Sequence, residues 1–168
     1  MTIHLRSAVR FFKPMMFAML LAGQGVLAAS SDDTLPPCGP KAQLGDEIST
    51  NVAQNARCFE LRMYTVDPER VNSEDFNGGI DELHQRFREE EVAIFEKHGA
   101  EVIGVWQDIE RPNTLIWMLA YRDRAHRDEV WAGFAADPAW EALRLKYNVP
   151  LNRPQVFMMS NTDYSHLE

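Results

Sequence analysis

The side chains best suited to proton transfer lie between residues 80 and 98. At 100° per residue, Ile80, Leu83, Phe87, Ile94 and Phe95 fall on one apolar arc, and His84, Glu91 and His98 fall inside it. A carboxylate buried without a partner is costly, so Glu91 has to be paired, protonated or turned towards a wet pocket. His84 or Glu91 in such a pocket could act as a general base, and they are the candidate catalytic residues. A structural hydrogen bond or ion pair across a helix–sheet seam is the competing assignment. The two stand two turns apart, about 10 Å along a helix axis, which is too far to share a metal ion. His98 is more simply structural, and Glu89-Glu90 reads as a solvated face.

A second helical stripe carries Arg127 among Val130, Trp131 and Phe134. A guanidinium in apolar surroundings suits a bidentate contact to a carboxylate or phosphate. It could anchor a ligand, or pair internally with an acid such as Glu60 or Glu91. Tyr64, Trp106 and Tyr121 lie on strand-like runs and could line an apolar cavity with polar handles. Trp140, Leu143 and Tyr147 form a packing stripe. The sequence has no phosphate loop, Rossmann glycine pattern, zinc spacing or Gly-X-Ser-X-Gly elbow. No metal site and no cofactor are predicted. His84, His98 or His126 could ligate haem iron, with nothing to single one out.

The elements that position these residues follow from periodicity. Cys58 to Thr65 alternates strictly, with Phe59, Leu61 and Met63 on one face and Glu60, Arg62 and Tyr64 on the other, as in a half-buried strand. A helix follows from about Gly79 to His98, closed by Gly99. Strands are expected over 100–108 and 114–122, the second apolar enough to be buried on both faces. A helix over 123–136 comes next. Asp137-Pro138 then starts a shorter helix with an N-cap and a proline at its first position. A last strand covers 154–160. The order β-α-β-β-α-β is the α+β, ferredoxin-like pattern, an antiparallel sheet with helices on one face. The other face is also partly apolar and has no chain left to cover it, so a homodimer packing sheet on sheet is expected.

Upstream, Arg6, Arg10 and Lys13 precede the apolar run Met15–Ala22 and a small-residue stretch ending Ala28-Ala29-Ser30. That succession reads as a cleaved secretory signal over residues 1–29, and it predicts a periplasmic or secreted protein with no membrane attachment afterwards. Residues 30–57 read as an extended tail with a short helix near 47–56, and 58–168 as the folded domain. Loss of residues 1–29 removes three basic and no acidic residues, taking the formal charge from −8 to −11. Such a chain has no affinity for nucleic acid. In an oxidising compartment Cys38 and Cys58 are expected to bond within the chain; two free thiols or an intermolecular bond are the alternatives.

The run Phe59-Glu60-Leu61-Arg62-Met63-Tyr64-Thr65, then Phe95-Glu96-Lys97-His98-Gly99 before a strand bearing Trp106, then Tyr121, Arg127 and Ala136-Asp137-Pro138-Ala139-Trp140, resembles the NIPSNAP family over about Cys58 to Met159. The resemblance implies a dimeric α+β barrel, shared with antibiotic-biosynthesis-type monooxygenases, and matches Arg127 to the family's arginine. It implies no general reaction. Pro68-Glu69 stands where the family has Pro-Gly, and Ile116-Trp117-Met118-Leu119 fills the stretch where a histidine is often found. Three functions remain open. The first is binding of a small, partly apolar, anionic molecule in a helix–sheet pocket. The second is a cofactor-independent monooxygenase or isomerase using His84 or Glu91. The third is a non-catalytic interaction protein.

Overall fold

The structure is a computed structural model that describes residues 37–167. The expected signal segment lies outside the described residues, as do residues 30–36. The chain runs through a 3₁₀ turn (Lys41–Gln43), α1 (Asp46–Ser49), β1 (Cys58–Thr65), α2 (Ile80–Arg86), a π-helical turn (Phe87–Glu91) and α3 (Val92–Lys97). It continues through β2 (Glu101–Gln107), β3 (Thr114–Tyr121), α4 (Arg124–Ala135), α5 (Pro138–Lys146) and β4 (Gln155–Ser160). The four strands form one antiparallel sheet in the order β2-β3-β1-β4. This is the expected α+β, ferredoxin-like arrangement with β1 and β3 at the centre.

The helix expected over 79–98 is present but interrupted. Between α2 and α3 the backbone widens into the π turn, whose hydrogen bonds run i→i+5. Asp123 caps α4 by accepting the His126 N–H at 2.8 Å, and Asp137 caps α5 by accepting the Ala139 N–H at 2.9 Å. Upstream, the helix expected near 47–56 is shorter and earlier. Residues 51–57 instead run beside 161–163, with a bridge between Val52 and Thr162. Cys38 and Cys58 form a disulfide that ties this segment to the start of β1. Closing a loop of 20 residues is worth roughly 3 kcal/mol in the chain-entropy model.

The helices cover the sheet face to which β1 turns Glu60, Arg62 and Tyr64, and β3 turns Leu115, Trp117, Leu119 and Tyr121. Trp117 is at its centre, fully buried, with edge contacts to Phe87 at 5.0 Å and Tyr64 at 5.5 Å. Phe95 bridges the helices, stacked on Phe134 at 3.8 Å. The strand residues with the more polar side chains therefore point into the core. Phe59, Leu61, Met63, Ile116 and Met118 point to the other face, which no helix covers. Of these, Phe59 is buried and the rest are half-buried. Burial of β3 is accordingly one-sided at Ile116 and Met118.

Candidate functional site

Strand alternation places Glu60 fully buried beneath α4. One carboxylate there accepts five hydrogen bonds from four side chains. Arg127 approaches as a fork, Nε to Oε2 and Nη2 to Oε1, both at 2.9 Å. Arg62 Nη1 donates to Oε1 at 2.5 Å, and the Tyr121 hydroxyl and Trp131 Nε1 donate to Oε2 at 3.0 Å each. Burial by itself raises the Glu60 pKa. The Arg127 hydrogen bonds, the charges of Arg62 and Arg127 and the Trp131 donor outweigh it and hold the group below the ordinary glutamate value. Arg62 also donates to the Tyr64 hydroxyl at 3.1 Å and lies over the Trp131 ring at 4.4 Å. Burial pushes the Tyr64 hydroxyl up to about 12. It also raises Tyr121, with the Glu60 charge adding to the effect.

A second ion pair continues the seam. Arg86 Nε donates to Glu91 Oε2 at 2.7 Å, and both residues are buried. These two are five residues apart, so the π turn is what aligns them; an unbroken α-helix pairs residues three or four apart. Burial drives the Glu91 pKa up, against the charge and hydrogen bond of Arg86. The seam thus holds three guanidiniums and two carboxylates, with Asp128 touching Arg127 at 3.1 Å from the surface.

His84 stands apart from this network. Its Nε2 meets Gln107 Oε1 across the helix–sheet edge. Gln107 Nε2 donates to the carbonyls of Pro112 at 2.6 Å and Thr114 at 3.2 Å, which settles which way the amide points. The neutral imidazole therefore donates from Nε2 and keeps its lone pair on Nδ1. His84, Phe87, Arg88, Val92 and Val105 line a groove of about 230 Å³ between the π turn and β2. Arg88 is exposed and makes no ion pair among the described residues.

The candidate residues thus fall into three places. Tyr121 and Arg127 meet on Glu60, and Arg62 links Tyr64 to the same carboxylate. Glu91 joins the seam through Arg86, while His84 lies in the groove. Trp106 shares nothing with the two tyrosines. It pairs with Ile116 on the uncovered face, 47% exposed, its ring lying over Gly104, where a Cβ would stand 2.6 Å from the ring. Arg127 commits Nε and Nη2 to Glu60 and Nη1 to Asp128, so the internal pair is the role the geometry gives it. Arg62, Arg86 and Arg88 went unrecognised in the sequence. For Arg62 the signal was there, two residues from Glu60 and Tyr64 on one strand face. Among the described residues no group of three or more His, Cys, Asp or Glu could hold a metal ion.

Comparison with solved structures returns the same fold. A NIPSNAP family protein of unknown function from Agrobacterium tumefaciens is 21% identical, with a TM-score of 0.58 over 70% of this chain and 99% of that one. A second NIPSNAP protein from that organism is 24% identical, with a TM-score of 0.55 over 67% and 99% of the two chains. An uncharacterised NIPSNAP-like domain protein from Burkholderia xenovorans is 24% identical, with a TM-score of 0.53 over 65% and 88%. Among curated proteins no match was found. The NIPSNAP family model matches residues 59–166, from the second residue of β1 through both layers and past β4. Glu60, Arg62, Arg86, Glu91 and Arg127 all fall within that span, and the chain belongs to the NIPSNAP family.

Proposed function

We propose that the protein is an exported homodimer that binds a small, partly apolar anion in the groove between the π turn and β2. The carrying observation is the groove itself. Arg88 supplies a cation with no internal partner, His84 a ring of defined tautomer, and Phe87, Val92 and Val105 an apolar wall. A π turn opening a helix beside such a groove is a frequent feature of functional sites. The charge of the ligand falls to Arg88, because Arg127 is spent on Glu60. Export is supported by the Cys38–Cys58 disulfide, a bond rare in reducing compartments. No helix among the described residues is long and apolar enough to cross a membrane.

Native mass spectrometry of protein recovered from the periplasm tests this reading. A retained low-mass anion is expected, lost in Arg88→Gln and weakened in His84→Ala. Protein that carries no such mass, or carries it equally in both variants, would refute the groove. The free Nδ1 of His84 also favours a second reading, a cofactor-independent enzyme with His84 as base. That reading requires turnover whose pH dependence disappears in His84→Ala.

A further inference from the structure

We infer that the disulfide-tethered segment builds a second binding site, a cleft of about 360 Å³ in which Arg57, Arg122 and His126 converge on a small carboxylate with a short apolar body. The cleft lies between residues 40–57 and the adjoining ends of β2, β3 and α4. It is at the Glu101 end of β2, whereas the His84 groove is towards the Gln107 end. One wall belongs to this chain and not to the family domain, because the NIPSNAP model begins at residue 59.

The lining presents donors that the protein itself leaves unused. Arg57 gives Nη1 to Glu101, but its Nε–H is buried with no acceptor. A buried, unpaired donor is uncommon and costs about 1–3 kcal/mol, and it leaves the Arg57 guanidinium short of acceptors beside the cleft. His126 Nδ1 accepts the Arg122 N–H at 3.1 Å, so the neutral ring carries its proton on Nε2. Gly99 lines the cleft beside that nitrogen, and a side chain there would come within 3.1 Å of it. Arg122 is largely exposed, with Asp123 at 3.6 Å. Glu101 is the single acid of the lining and is already held by Arg57. Ala56, Ala120 and the Tyr121 ring provide an apolar wall. Cationic donors together with hydrocarbon in one lining suit a monocarboxylate better than a phosphate. The overall formal charge of −8 disfavours polyanions further.

The wall is held in place by the staple. The Cys38–Cys58 bond, the Gly39 N–H to Ser160 Oγ at 2.9 Å and the Arg57 N–H to Asn161 Oδ1 at 2.9 Å fix the segment to the strand ends. Opening the disulfide should therefore weaken the site.

Benzoate is the probe, added to the exported protein and followed by backbone amide NMR shifts, with benzylamine and inorganic phosphate as controls. Benzoate is expected to shift the amides of Arg57, Gly99 and Arg122 saturably, and neither control should do so. Arg57→Gln and Arg122→Gln should each weaken binding about tenfold, the loss of one charge-assisted contact. A Cys38→Ser, Cys58→Ser double variant should weaken it at least as much, and His84→Ala not at all, which separates this cleft from the groove. The proposal is overturned if these amides show no saturation at millimolar benzoate. It is also overturned if phosphate or benzylamine binds as well, or if a folded Arg57→Gln binds as tightly as the parent.

Discussion

Glu60 is the residue on which the seam turns. Its two oxygens take donors from Arg127, Arg62, Tyr121 and Trp131, so it has no lone pair left for a substrate proton, and its role is to hold α4 against the sheet. Removing one partner of a buried charge network leaves the others uncompensated, at a cost of about 3–5 kcal/mol. Glu60→Ala is expected to lose that much in urea unfolding at neutral pH, while a surface change such as Glu90→Ala loses almost nothing. The pH dependence has a definite sign. The folded pKa of Glu60 lies below its unfolded value of about 4.5, so its contribution is complete above that value and is lost as pH falls through the folded pKa. The stability gap between parent and Glu60→Ala should therefore be constant above pH 4.5 and narrow below it. A gap that held steady into stronger acid would show that the carboxylate charge is not what matters there.

At the scale of elements, β1 was legible because its period-two alternation is strict. Cys58–Thr65 is the strand expected from its pattern, residue for residue. Alternation separates two faces but does not say which one the helices cover. Here the face with Glu60 and Arg62 is inward, because guanidinium and carboxylate satisfy one another there. The π turn was not legible, since apolar spacing on either side of it still fits a helical period. Its consequence, an Arg86–Glu91 pair at a separation of five, is invisible to any reading at 100° per residue. Trp106 was grouped with the two tyrosines as a strand aromatic, and the sheet register places it on the opposite face. A π turn amounts to one extra residue in an α-helix, and Glu90 is exposed within it. Deleting Glu90 should restore a regular helix from α2 to α3, bringing Arg86 and the glutamate into i,i+4 relation. The variant is expected to keep its far-UV circular dichroism and unfold within about 2 kcal/mol of the parent, while losing the anion bound beside Arg88. Retention of that anion with unchanged affinity would show that the π turn has no part in shaping the groove.

At the scale of the whole molecule, the sheet face opposite the helices is the surface available to a partner. Four strands about 4.8 Å apart and about seven residues long make a surface of roughly 450 Å² before side-chain relief, comparable to the largest patch on a typical monomer, which is often functional. Leu61, Met63, Ile116 and Met118 carpet its centre, and Trp106 and Phe157, 47% and 48% exposed, stand on the outer strands. In the proposed homodimer a second copy of the chain would meet this face with the same apolar residues, in a twofold, self-complementary contact. Met118 lies on a central strand opposite Leu61, among the apolar side chains of this face. Met118→Glu is therefore expected to convert a dimer into a folded monomer, read by analytical ultracentrifugation, with the Cys38–Cys58 bond and helix content retained. Trp106 provides a second readout, because an indole half exposed in the monomer is desolvated when the faces close. Its emission should shift to the blue with rising protein concentration in the parent and stay fixed in Met118→Glu. A parent protein that sediments as a monomer at micromolar concentration, with concentration-independent emission, would leave the face without a second copy and defeat the homodimer.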